Sequence, residues 1–84
     1  MNSVNWTRKA VKQLMRAQPQ HQLQIREAVG ALVNMPDVTN VIALSHHESA
    51  YRLRVGWYRV LFDWESSVKI ISIQEVKKRD ERTY

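Results

Sequence analysis

The sequence predicts an α+β domain: a short N-terminal strand, an antiparallel two-helix hairpin, and an antiparallel β-sheet on which the hairpin packs. Three observations lead there. Apolar residues recur at helical spacing between about residues 8 and 34, and the spacing changes to strict alternation from residue 41 onward. A chain of 84 residues also has room for one domain, spanning 1–84, and not two.

Val4 and Trp6 alternate with polar neighbours, which predicts the first strand. Thr7 is placed to cap a helix from about Arg8 to Ala17, whose apolar residues are Ala10, Val11, Leu14 and Met15. Pro19 suits the first turn of a second helix, because its missing N–H has no helical partner there in any case. Ile25, Ala28, Val29 and Leu32 then follow the i, i+3, i+4, i+7 pattern to about Asn34, before Pro36 and Asp37 end the helix. Neither helix buries its apolar stripe alone, so both require a sheet. Val41–Leu44, Tyr51–Val55, Tyr58–Trp64 and Val68 to about Val76 supply four strands. Gly56-Trp57 joins the middle two, with glycine at the position of a type II′ turn that demands positive φ.

Composition narrows the function classes. Thirteen Lys and Arg against eight Asp and Glu give a net charge of +5, which suits an anionic partner. With no cysteine there is no disulfide, thiolate metal site or cysteine nucleophile. Apolar runs are only a few residues long, and the first five residues do not read as a signal peptide, so a cytoplasmic protein with no membrane partner is expected. His46, His47 and Glu48 are a poor metal set, since adjacent side chains do not readily face one ion; neither a metal nor another cofactor is expected.

The informative segment is Tyr51–Phe62. Alternation puts Arg52 and Arg54 on one sheet face, about 6.5–7 Å apart at Cα, and the tight turn brings Arg59 to the same face. A solvated polar face of an antiparallel sheet has this pattern. So does a phosphate site, because a guanidinium fork matches a phosphate bidentately. Trp57 at the turn tip either stacks on RNA or packs under the tail. The tail, from Lys77 and Lys78 through Arg79 and Arg82 to Tyr84, is basic and ends in an aromatic. Arg8, Lys9, Lys12 and Arg16 give the first helix a general basic surface, suited to a polyanion such as ribosomal RNA or to nothing specific.

Trp6-Thr7 with Ala10 and Leu14, the hairpin ending at Pro36, Asn40–Leu44, and above all Tyr51-Arg52-Leu53-Arg54-Val55-Gly56 with Tyr58-Arg59-Val60 resemble the RelE/ParE toxin superfamily. The closing Ile73 strand and the basic tail ending in tyrosine extend the likeness over nearly the whole chain. The resemblance implies a RelE-like fold, of the microbial ribonuclease type, with the helices on a curved antiparallel sheet. It implies a toxin of a type II toxin–antitoxin system: an endoribonuclease, or mRNA interferase, that cuts mRNA in the ribosomal A site. That chemistry needs no metal, since the ribose 2′-OH attacks the adjacent phosphate and the 5′-oxygen leaves.

By the same resemblance Arg52 takes the base position, Arg54 and Arg59 stabilise the phosphate, Lys78 or Arg79 is the acid, and Tyr84 stacks on a base. RelE-like proteins often have lysine where Arg52 stands, and arginine does not usefully give up its proton. Arg52 is therefore expected to act electrostatically, with His46, His47 and Glu48 as alternative acid/base groups. The implied partners are an acidic RelB-like antitoxin, the ribosome and mRNA, with DNA reached only through the antitoxin. The alternatives are a ParE-like gyrase inhibitor and a non-catalytic basic RNA-binding domain.

Overall fold

The computed structural model describes residues 1–78. Its elements are β1 (Ser3–Trp6), α1 (Arg8–Met15), α2 (Pro19–Gly30), a 3-10 turn (Ala31–Asn34), β2 (Val41–Ala43), β3 (Tyr51–Val55), β4 (Tyr58–Glu65) and β5 (Ile70–Lys78). One five-stranded sheet has the order β1-β5-β4-β3-β2. Strands β2 to β5 form the expected antiparallel meander, and β1 adds a parallel edge beside β5.

Thr7 makes two bonds through its one hydroxyl. Its hydroxyl oxygen accepts from the Ala10 amide at 3.2 Å, capping α1, and donates to the Ile73 carbonyl at 2.7 Å. The cap thus fixes α1 against β5 as well as starting the helix. Gln13 holds the same edge farther on, where its Oε1 accepts from the Val76 amide. Pro19 opens α2 as expected. The second helix continues to Asn34, but its last four residues tighten into the 3-10 turn before the cis Met35–Pro36 bond.

One face of the sheet carries the core. Leu53, Val60, Phe62, Ile71, Ile73 and Val76 meet Ala10 and Leu14 of α1 and Ile25, Val29 and Leu32 of the second helical segment. Val11 and Met15, expected on the apolar face of α1, are exposed instead. Asn2 ties the N-terminus in: its Nδ2 donates to the Val33 and Met35 carbonyls, and its Oδ1 accepts from Trp64 Nε1 at 2.9 Å. Gly56 adopts φ 54° while Trp57 keeps negative φ, as a type II′ turn requires.

Strand β5 breaks its own alternation. Ile73 and Val76 both face the core although they lie three positions apart. Strict alternation allows only even spacing on one face, so one extra residue must intervene. The register shows it: Phe62 pairs with Ile73 and Leu61 with Glu75, leaving Gln74 as the extra residue of a β-bulge. The strand then runs two residues beyond the expected Val76, so Lys77 and Lys78 belong to the sheet and not to the tail.

Candidate nucleic-acid interface

The open face of the sheet, away from the helices, carries the cations. Arg54 is the Cα partner of Arg59, and Arg59 is the Cα partner of Lys77. Three strands thus present a row of cations at one end of the sheet, with neighbouring strands about 4.8 Å apart. The next row holds Ile42, Arg52, Leu61 and Glu75 in register. Leu61 is only 5% exposed yet lies on this open face, outside the core cluster.

The arginine pair around Leu61 has an unusual state. The Nε atoms of Arg52 and Arg59 are buried and make no hydrogen bond with the described residues. No carboxylate among the described residues lies within ion-pair distance of Arg52, Arg54 or Arg59. Unpaired buried donors cost free energy, and the remaining N–H groups of a guanidinium are the ones that suit an anion on the surface.

The face also carries acids. Glu75 lies on it because the bulge turns it outward. Glu75 Oε1 is 2.8 Å from Lys9 Nζ and its Oε2 is 3.7 Å from Lys77 Nζ. The hydrogen bond from Lys9 is the main cause holding the Glu75 carboxyl below its ordinary pKa, and Lys77 adds to it. Lys9 is raised in return by the same bond. Asp63 is also on this side, where its two oxygens accept from the Ala50 amide and from Gln74 Nε2. The sequence carried a signal for Glu75 in the odd spacing of Ile73 and Val76.

The remaining expected residues fall in three places. Arg8, Lys12 and Arg16 are exposed on α1, and Lys9 leaves that group to reach Glu75. His46, His47 and Glu48 lie exposed in the β2–β3 loop, which the Ala50–Asp63 bond anchors; His47 Nδ1 accepts from the Ser49 amide. Glu48 is close enough to contribute to raising Lys9. Trp57 is 59% exposed at the hairpin tip. Lys78 is exposed at the end of β5. Arg79, Arg82 and Tyr84 lie outside the described residues. No helix among the described residues is long and apolar enough to cross a membrane.

No protein-family profile matches the chain. No curated protein matches it either. Solved structures do. The archaeal RelE–RelB complex from Pyrococcus horikoshii matches with TM-score 0.79 and 27% identity, over 95% of this chain and 97% of that one. The RelBE2 toxin–antitoxin complex from Mycobacterium tuberculosis matches with TM-score 0.78 and 21% identity, over 93% and 98%. The isolated RelE toxin of E. coli matches with TM-score 0.79 and 12% identity, over 96% and 87%. On these matches the chain has the RelE fold and falls within the RelE/ParE toxin superfamily.

Proposed function

We propose that this chain is the toxin of a type II toxin–antitoxin system and a ribosome-dependent endoribonuclease that cuts mRNA in the A site. The observation that carries the reading is the row Arg54–Arg59–Lys77 beside the buried, unpartnered Nε atoms of Arg52 and Arg59. Like charges placed opposite one another destabilise a sheet. A phosphate lying on the face offsets that repulsion.

In this reaction the ribose 2′-oxygen attacks phosphorus, the 2′-proton is taken up, and the bond to the 5′-oxygen breaks as that oxygen is protonated. A 2′,3′-cyclic phosphate and a 5′-OH result. Negative charge grows on the non-bridging oxygens as the phosphorane forms. Arg54 and Arg59 stabilise it, since donors fixed in advance where charge develops act without reorganising. Arg52 contributes electrostatically and does not take the proton. That role falls to a group other than arginine, and His46, His47 and Glu48 are the titratable candidates in the anchored loop.

The structural neighbours from Pyrococcus and Mycobacterium are complexes of toxin with antitoxin, which favours a RelB-like partner for this chain as well. Its toxin-binding segment is expected to be acidic, to match a chain of net charge +5.

The test is induction in cells, with amino-acid and nucleotide incorporation followed and the 5′ ends of translated messages mapped. Rapid loss of amino-acid incorporation with in-frame mRNA cuts supports the reading. Gyrase-dependent DNA damage with intact messages overturns it in favour of a ParE-like activity, and absence of any growth effect leaves a non-catalytic RNA-binding domain.

A further inference from the structure

We propose that Glu75 is a positioning residue of the basic face: it holds Lys77 alongside Arg59 and yields Lys77 to an incoming RNA phosphate. The inference rests on the reading of this face as an RNA site.

The geometry begins with the bulge at Gln74–Glu75. Without the extra residue, Glu75 would share the face of Ile73 and point into the core. Bulges recur where a side chain must be re-aimed, and this one sets a carboxylate among cations. Leu61 is the Cα partner of Glu75, and Arg59 lies two residues before Leu61. Glu75 and Arg59 are therefore diagonal neighbours, about 7–8 Å apart at Cα and within reach of long side chains.

The two contacts of Glu75 differ in kind. The Lys9 contact, at 2.8 Å, is a charge-assisted hydrogen bond. The Lys77 contact, at 3.7 Å, is an ion pair without a hydrogen bond, and the Lys77 side chain stays half exposed. Lys9 thus anchors the carboxylate, while Lys77 is loosely tethered next to an arginine that repels it. A phosphate arriving between Arg59 and Lys77 offers Lys77 a shorter, charge-assisted contact and wins it from Glu75.

The same pairing argues against Glu75 as the general base. A carboxylate held by two cations is a weakened proton acceptor, and a base works best with a pKa near the working pH. Glu75 shapes the site through Lys77 and does not take up the proton.

The experiment combines Glu75→Gln, Lys77→Ala and the double variant. Single-turnover cleavage is measured on programmed ribosomes, and binding is measured with a short single-stranded oligoribonucleotide. Glu75→Gln is expected to lower the cleavage rate about tenfold while RNA binding stays equal or becomes tighter. In the Lys77→Ala background the same change is expected to alter the rate less than twofold. Glu75→Asp should recover part of the rate. Weakened binding in step with the rate, additive losses in the double variant, or a rate within twofold of the parent overturns the proposal.

Lysine acetylation read by mass spectrometry gives a second measure independent of cleavage. Lys77 should become more reactive in Glu75→Gln, and the oligoribonucleotide should protect Lys77 in the parent protein. If the parent cuts no message yet both acetylation effects appear, the endonuclease reading falls and the positioning role stands. If the parent cuts and Lys77 reactivity ignores both Glu75 and RNA, the positioning role falls alone.

Discussion

Arg54 and Arg59 are Cα partners across the β3–β4 hairpin, so two guanidinium groups share one rung of the sheet with no carboxylate of the described residues pairing either. A rung of like charges lowers stability, and the hairpin that creates it turns on one residue, Gly56 at φ 54°. Here two like charges share a rung that costs the sheet some stability.

Arg59 sits at the centre of the row, between Arg54 and Lys77, and its Nε is buried. Arg59→Ala is expected to lower the cleavage rate by about 10²-fold or more, the scale for removing one fixed stabiliser of a developing oxyanion. Its melting temperature should be equal to the parent's or higher, because a repulsive rung is relieved. Cleavage kinetics on programmed ribosomes and thermal denaturation read the two effects, and a rate loss below tenfold removes Arg59 from the role given to it.

Thr7 links helix and sheet through one hydroxyl. Losing an N-cap costs about 1 kcal/mol, and the Ile73 carbonyl loses a partner worth about another. Thr7→Ala should therefore cost about 2 kcal/mol in urea denaturation, while Thr7→Ser, which keeps the oxygen, should cost well under half of that. Equal losses for the two variants would show that the methyl group, and not the hydroxyl, carries the contribution.

The cap, the hairpin and the arginine face were all legible because each rests on local chemistry. Thr7, Pro19 and Gly56 each mark a backbone position that few residue types suit. Arg52, Arg54 and Arg59 share a face by alternation alone. What alternation could not give was the consequence of its own failure: Ile73 and Val76 break the period, and reading β5 as regular hid the bulge and with it Glu75. The parallel pairing of β1 was hidden for another reason, since Val4 and Trp6 alternate identically in either direction. Lys9 looked like one more cation of α1 because its partner lies 66 residues on, where only the folded edge of β5 brings it near.

Glu75 gives the stability of the fold a definite dependence on acid. Its carboxyl lies below its ordinary value of 4.5, chiefly through the Lys9 hydrogen bond. The folded state therefore binds its proton less readily than the unfolded chain. The contribution is fully present above about pH 4.5 and is lost as the pH falls through the lower folded value. Glu75→Gln should flatten the acid side of a stability-against-pH curve from urea midpoints, and should leave the Thr7 contribution unchanged. An acid limb of unaltered slope would assign the loss to other carboxylates.

Asn2 offers the sharpest separation of folding from activity. Its side chain satisfies three groups at once: the Val33 and Met35 carbonyls and the Trp64 indole N–H. The residue is itself buried, so truncation leaves the Met35 carbonyl and the Trp64 indole N–H without this partner, at about 1–3 kcal/mol each, while the Val33 carbonyl keeps the Asn2 backbone amide. Asn2→Ala should cost about 2–6 kcal/mol. Asn2→Asp should also be harmful, because a carboxylate can still accept from Trp64 but must face two carbonyl oxygens where the amide donated. Trp64 lies toward the far end of β4 from Arg59, so cleavage per folded molecule should match the parent for both variants. Urea titration with active-fraction correction checks this, and a specific-activity loss in the folded fraction would tie the N-terminal clasp to the arginine face.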